Sequence, residues 1–367
     1  WICKEILSFS KKHFMACIHL CRLFLCSQMK NILQLLTLSI LIFGCESSDE
    51  RTTRFFNLGN NALNKGDYDQ AIEYYNQSLK ETPDYAPALN NRGVAKIESD
   101  HPYEAILDYN QAITIQPDYL DALFNRAYAY EEIGQFEKAL NDIDAIQKIS
   151  GDSSFVYFYQ GLNQTHMRLY DEALNSFQVA DSLNPLNPET LINMATIFYF
   201  KEAYDTAINL VNRVLELSTE DANAFSLLSL IELEKGNYQG SLAEVNRAMD
   251  IVPGEPYFLN NRGYIYLQMD SLNAAIGDIN RSIVLNPKNG WAYRNKGIYM
   301  MKKGDLKEAI NLFNRAITTG EFIDELYFYL GNAHFKLGDT KTACSSWKIG
   351  KNLNELKSQQ MLDQYCN

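Results

Sequence analysis

The sequence predicts an all-α solenoid: nine 34-residue helical hairpins over residues 52–357, closed by a short capping helix over 358–367 and coiled into a right-handed superhelix. Three observations carry this expectation. From Thr52 to Lys357 the chain lies in nine rows of 34 with no insertion or deletion. Two columns of those rows stay small while a third stays bulky. Proline recurs two residues before the row ends.

The small columns are the eighth and the twentieth. The eighth reads Gly59, Gly93, Ala127, Gly161, Ala195, Ser229, Gly263, Gly297, Gly331, and the twentieth is Ala in every row but one, which has Ser241. Small side chains at these places let two antiparallel helices approach closely. The twenty-fourth column is always bulky, from Tyr75 and Tyr109 to Phe313 and Trp347, and fills the space beside them. Gly or Asp near the fifteenth column, as in Gly66-Asp67 and Gly304-Asp305, makes the turn inside each hairpin. Pro83, Pro117, Pro185, Pro253 and Pro287 at column 32 end the second helix, since proline lacks the N–H and clashes with the preceding turn.

A 34-residue helical hairpin with this pattern resembles the tetratricopeptide repeat. Stacked repeats of this kind bury a continuous core and need a cap at the end. The resemblance implies a protein-binding array. Its groove would be lined by the first helices, with columns 2, 5, 6, 9, 12 and 13 facing inward. It implies no chemistry, cofactor or metal.

The segment before the repeats carries a different signal. Met29-Lys30-Asn31 is followed by an apolar run from Ile32 to Phe43 and then Gly44-Cys45. This order of polar start, apolar run and small residue is that of a secretory signal over 29–44. The run is short for a membrane span. A cysteine directly after it resembles the lipobox of bacterial lipoproteins, which implies lipidation at Cys45 and a Gram-negative envelope location. The protein would face the periplasm or the cell surface from the outer membrane. Phe43 departs from the small residue usual before the last position. Residues 45–51 would form the lipidated tether, and residues 1–28 would be untranslated upstream sequence, with Met15 a weaker start.

The formal net charge is −12, so nucleic acid is an unsuitable partner and acyl chains must hold the membrane. Most of the seven cysteines fall before Thr52, and Cys17-x-His19-x-Cys21 matches no zinc spacing. Cys344 on the last second helix and Cys366 in the cap could meet in a secreted chain, and both a disulfide and two buried thiols stay open. His101, His166 and His334 fall at different columns of separate rows and share no motif. No HExxH, GxSxG or glycine-rich phosphate loop occurs.

Groove contacts are expected from amides and aromatics. Column 6 carries Asn57, Asn91, Asn125, Asn193, Asn261 and Asn295, joined by Asn90 and Asn260 from two copies of Asn-Asn-Arg-Gly. An amide donates and accepts, so such a row can bond an extended backbone. Phe124, Tyr128, Phe155 and Phe158 fall at groove columns of the third and fourth rows and supply anchors. The basic residues that a carboxylate clamp for chaperone tails would need are absent: Phe56, Asp121 and Asn125 stand there.

Column 7 is Arg in three rows, and column 23 is Asp in those rows alone. This pattern pairs Arg92 with Asp108, Arg126 with Asp142 and Arg262 with Asp278 across the two helices of a hairpin. Arg213, Arg247, Arg281 and Arg315 at column 26 are expected on the outer face near helix C-termini. The reading is a lipid-anchored, non-enzymatic scaffold that binds protein or peptide segments in its groove. A structural subunit docking through its outer face or ends is the alternative, and an envelope enzyme the third class.

Overall fold

The computed structural model describes residues 46–320 and 323–366. The signal segment and Cys45 lie outside the described residues. Nineteen helices occur among them, and no strand. The second helices begin at Tyr68, Pro102, Phe136, Tyr170, Tyr204, Tyr238, Leu272, Leu306 and Thr340, each 34 residues after the last. Two compact units divide between Ala88 and Leu89.

In the first unit, α1 (Ser48–Leu63) packs on α2 (Tyr68–Glu81), and α3 (Ala86–Glu98) begins at its end. Helix α1 starts four residues before the repeat frame, so the expected tether is helical from Ser48. A capping box explains the early start: the Ser47 side chain accepts from the Glu50 N–H, and Glu50 accepts from the Ser47 N–H. Arg51 pairs with Glu81 at 2.7 Å, and Ser78 Oγ donates to the Thr52 carbonyl at 2.9 Å.

In the second unit the helices alternate as hairpins: α4 (Pro102–Ile115), α5 (Leu120–Glu132), α6 (Phe136–Ser150), α7 (Ser154–His166), α8 (Tyr170–Leu183), α9 (Pro188–Phe200), α10 (Tyr204–Leu217) and α11 (Ala222–Glu234). They continue as α12 (Tyr238–Ile251), α13 (Pro256–Gln268), α14 (Leu272–Leu285), α15 (Gly290–Lys303), α16 (Leu306–Thr318), α17 (Leu326–Lys336), α18 (Thr340–Asn352) and α19 (Leu356–Tyr365). The prolines act as their position implies. Thr82, Gln116, Val252 and Asn286 precede them with φ near −130° and ψ near 90°, the extended backbone that a following proline favours.

The hairpin turn has one fixed feature. Column 15 is left-handed in every row, with φ between 58° and 85°: Gly66, Asp100, Gly134, Arg168, Glu202, Gly236, Asp270, Gly304, Gly338. Glycine takes this conformation freely, whereas Arg168 and Glu202 adopt it under the pull of the packed helices on either side.

The tight contact between paired helices lies at column 8. A Cβ added to Gly93, Gly161, Gly297 or Gly331 would enter the ring of Tyr109, Phe177, Phe313 or Trp347 at column 24. Where column 8 carries a Cβ, as in Ala127, Ala195 and Ser229, column 24 is Ile143, Val211 or Val245. The two columns therefore share one volume, divided differently from row to row. The column 20 residues beside them are all fully buried.

The cap differs from its expected bounds. Helix α19 begins at Leu356, two residues early, and its one buried side chain is Ser358, while Met361 and Leu362 are half-buried. Tyr365 closes the end by packing on Phe335 and Trp347, with ring centroids 4.7 and 6.2 Å away. A disulfide joins Cys344 to Cys366 and ties the cap to α18. No helix among the described residues is long and apolar enough to cross a membrane.

The shared volume gives a stability prediction. Gly297→Ala should lower unfolding free energy by about 2 kcal/mol in chemical denaturation, the usual cost of overpacking. Adding Phe313→Ile should recover most of that loss. No loss in the single variant would contradict the shared-volume account.

Candidate functional site

The second unit closes on itself along one seam. The hairpin turns of early rows meet the connecting loops of late ones. Lys288 Nζ lies 2.6 Å from Asp100, and a Cβ at Gly134 would lie 3.3 Å from the Gly320 carbonyl. Arg168 makes the deepest contact. Its Nη1 donates to the Leu353 carbonyl at 2.6 Å and to Asp324 at 3.3 Å, and its Nη2 donates to the Ile323 carbonyl at 3.2 Å. A buried guanidinium with three acceptors is well satisfied.

This seam fixes an irregular connection. The first helix of the ninth row begins at Leu326 rather than at the row's first residue, Asp324. Glu325 precedes it in the left-handed region, at φ 56°, and gives no side-chain cap. Glu355, from the loop before α19, supplies the acceptors instead. Its two carboxylate oxygens accept from the Tyr327 and Phe328 N–H groups at 3.2 and 3.0 Å. A carboxylate at a helix N-terminus also opposes the positive end of the helix dipole. The displaced Asp324 and Glu325 thereby reach the inner face of the coil.

A cavity of about 420 Å³ opens there. Helix α9 lines it with Glu189, Ile192, Asn193, Thr196, Tyr199 and Phe200, which are columns 2, 5, 6, 9, 12 and 13 of the fifth row. Asn223, Ser226, Leu227, Leu230 and Glu234 of α11 follow at the same columns, as do Tyr257, Asn260, Asn261 and Tyr264 of α13. Trp291, Arg294 and Asn295 of α15 form the far wall, with Asp324 and Glu325 beside them.

The wall has an internal order. Arg294 is buried, with its guanidinium carbon 4.7 Å from the Trp291 ring centroid and 5.0 Å from that of Tyr264. Its Nη1 donates to the Asp324 carbonyl at 2.7 Å, and Nε and Nη2 donate to Asn295 Oδ1 at 3.1 and 2.9 Å. Cation–ring contacts of this kind are strongest where water is excluded.

The second unit's column 7 arginines form bidentate pairs. Nε and Nη2 of Arg92, Arg126 and Arg262 donate to the two oxygens of Asp108, Asp142 and Asp278 at 2.6–2.9 Å. Arg126 and Arg262 also donate from Nη1 to Asn110 and Asn246 of the preceding hairpin at 2.7 and 3.0 Å. Each therefore joins one hairpin internally and to its neighbour.

Four stretches of the chain match family descriptions of the same kind. Residues 53–85, 121–153 and 192–256 match tetratricopeptide repeat families, and 103–134 matches a TPR repeat family. The chain carries tetratricopeptide repeats. No curated protein sequence matches it. Among solved structures, this repeat protein is similar to the APC/C hetero-tetramer Cut9-Hcn1, at 13% identity over 89% of this chain and 78% of that one, with a TM-score of 0.49. PilF of Pseudomonas aeruginosa matches at 18% identity over 62% of this chain and 99% of that one, with a TM-score of 0.48. A tetratricopeptide repeat protein from Parabacteroides merdae matches at 19% over 77% and 99%, with a TM-score of 0.43.

The asparagines of the repeats fall into two groups, which corrects the expected uniform row. Asn90, Asn260 and Asn295 are buried. Asn125 Nδ2 donates to Asn90 Oδ1 at 2.9 Å and Asn295 Nδ2 to Asn260 Oδ1 at 2.8 Å, so these amides bond one repeat to the next. Asn90 Nδ2 likewise donates to Asn91 at 3.0 Å. Burial turns a column 5 or 6 amide toward its neighbour, because an unpaired buried amide is costly. Asn193 and Asn261 line the cavity partly exposed, with Asn193 Nδ2 donating to the Glu189 carbonyl at 2.8 Å and Asn261 Nδ2 to Ser226 Oγ of the preceding repeat at 3.0 Å, and Asn57 is exposed in the first unit. The sequence reading missed Asn223, a column 2 residue. It also missed Arg294 and Glu325, which stand at the inward columns 5 and 2, and Asp324, a column 1 residue that the irregular connection places at the cavity.

The aromatic set divides similarly. Phe124, Phe155 and Tyr159 stack on one another with centroids 4.7–5.1 Å apart, and Phe158 packs on the buried Phe177 at 5.8 Å. Phe158 therefore belongs to the core. Tyr128 and Phe155 stay exposed. The column 26 arginines Arg213, Arg247, Arg281 and Arg315 are exposed as expected, and Arg247 and Arg315 lie 3.8 and 4.3 Å over Phe225 and Tyr293. Among the described residues no cluster of His, Cys, Asp or Glu could hold a metal ion.

One groove carboxyl is coupled to a buried amide. Asn163 Nδ2 donates to Glu131 at 2.6 Å, while Asn163 Oδ1 is buried without a partner among the described residues. Burial foremost, with Glu132 adding, pushes the Glu131 carboxyl above its ordinary value, against the bond from Asn163. Protonation gives Glu131 an O–H donor beside an amide whose Oδ1 has none. A raised carboxyl stabilises the fold at low pH, and that contribution is lost as pH rises through its folded value. Glu131→Gln, with a permanent N–H donor, should therefore melt higher than the parent at pH 8, by about 1 kcal/mol. The gap should close below about pH 4, where the parent carboxyl is protonated in both states. An equal gap at both pH values would contradict the coupling.

Proposed function

We propose that this protein holds an extended polypeptide segment in the cavity between α9, α11, α13 and α15, and acts by holding it rather than by altering it. The observation that carries this reading is that side chains from the same inward columns of four successive hairpins form one continuous wall. Helices displaced by one repeat offer side chains at a regular step, as the residues of an extended chain do. Asn193, Asn223 and Asn261 provide amides to bond a backbone, and Leu227, Leu230 and Tyr257 provide apolar contact. Short segments selected on the immobilised protein from a displayed peptide library should lose binding to Asn193→Ala/Asn223→Ala/Asn261→Ala, with far-UV circular dichroism unchanged. Equal binding to that variant would reject the cavity as the site.

The same reading places the protein in the envelope of a Gram-negative bacterium by a lipid on Cys45, outside the described residues. The support is the order of residues from Met29 to Cys45. Two or more acyl chains would anchor it stably. Metabolic labelling with a palmitate analogue should mark the protein and fail to mark Cys45→Ser. Label retained in that variant would exclude this cysteine.

A further inference from the structure

The cavity has a charge as well as a shape. Glu189 and Glu234 line it from α9 and α11, and Asp324 and Glu325 from the irregular loop. A smaller adjoining cavity shares Tyr199, Phe200 and three of these acids, and adds Glu202 and Glu355. The cations at these walls are engaged within the protein. Arg294 donates to Asn295 and the Asp324 carbonyl, and Lys357 is bonded to Glu325. Arg168, behind the loop, donates to Asp324 and to two backbone carbonyls. Among the described residues, Arg294 is the basic side chain that lines the larger cavity, and Lys357 lines the smaller one with Glu234.

The environment of these acids agrees. Desolvation pushes the Glu234 carboxyl upward, Lys357 pulls it down, and Glu325, Glu202 and Asp324 push it up again. Desolvation likewise raises Asp324, with Arg168 opposing and Glu325 adding. Carboxylates gathered in this way disfavour one another's charge, and a cation entering among them relieves the repulsion.

The chain also contains its own example of the contact. The Arg294 guanidinium lies between Trp291 and Tyr264 in this cavity, at distances suited to cation–ring attraction. Tyr199 and Phe200 offer rings at the opposite end, beside Glu234, and Lys357, which shares the adjoining cavity with them, is bonded to Glu325.

Resting on the groove reading above, we infer that the occupant is a basic segment, with a lysine or arginine side chain inserted between the α9 aromatics and the carboxylates of Glu189, Glu234 and Asp324. The ammonium or guanidinium accepts the charge of the carboxylates, and its aliphatic stem lies along Tyr199 and Leu230. An acidic segment would meet four acids, and the cations in its favour, Arg294 and Lys357, are already bonded within the protein. The chain's net charge of −12 adds a long-range attraction for the same sign of partner.

Three fluorescein-labelled, amidated dodecapeptides test this, each alternating Ala with Lys, Gln or Glu. Fluorescence anisotropy with the full chain should show the Lys peptide binding at least tenfold tighter than the other two. Glu189→Gln/Glu234→Gln should weaken it at least tenfold. Glu137→Gln/Glu172→Gln makes the same charge change on α6 and α8, outside the cavity, and should keep the affinity. If the Gln or Glu peptide binds the parent as tightly as the Lys peptide, the inference of a basic occupant is overturned while the groove reading stands. If both double variants lose affinity equally, attraction is to the whole chain and the cavity assignment is overturned. If no peptide binds, both the inference and the groove reading fail.

Discussion

The rest of the structure depends on the volume shared between columns 8 and 24 of each hairpin. Two helices can cross closely only if one gives up its Cβ or the other gives up a ring. Gly297 faces Phe313 and Gly331 faces Trp347, whereas Ala195 faces Val211. The separation within a hairpin sets the direction in which its first helix points, and hence which columns face inward. Because every row solves the same volume problem, columns 2, 5, 6, 9, 12 and 13 keep their orientation across four successive hairpins. The cavity is a consequence of that repetition.

One interruption of the repetition gives the cavity its character. The connection before α17 stays non-helical two residues further into its row than in the rows before it, and Asp324 and Glu325 line the inner face. Two residues from other rows and one from the end of the same row stabilise the departure. Arg168 holds the Ile323 carbonyl and the Asp324 carboxylate, Arg294 holds the Asp324 carbonyl, and Glu355 caps the helix that the loop precedes. Arg168 occupies a left-handed hairpin-turn position where five of the other rows place glycine. A residue strained in backbone and well satisfied in side chain fits a place where a specific contact outweighs local conformational preference.

Most of the fold was legible because its determinants are local and repeated. Ala at column 20, Pro at column 32 and a turn residue at column 15 each act within a few residues of their own position. The Arg–Asp pairs were legible for a related reason: Arg126 and Asp142 vary together from row to row within one chain. The site was legible only by column. Pattern alone does not tell whether Asn260 faces a ligand or the next repeat, because columns 5 and 6, about 100° apart around the helix, both lie on its inward side. Burial decides it. The seam contacts, such as Lys288 with Asp100, join residues 188 apart and follow from the curvature of the second unit. No local pattern records them. The acids of the irregular loop were missed because they occupy columns that are helical elsewhere.

The central claim is that partners are held on the inner columns and not on the outer face. Site-specific photocrosslinking tests it most directly. A benzophenone amino acid at Asn223, which lines the cavity, should give discrete adducts in intact cells. The same group at Leu107 or Val284, exposed on second helices, should not. Adducts at Leu107 or Val284 with none at Asn223 would contradict the account and favour docking through the outer face.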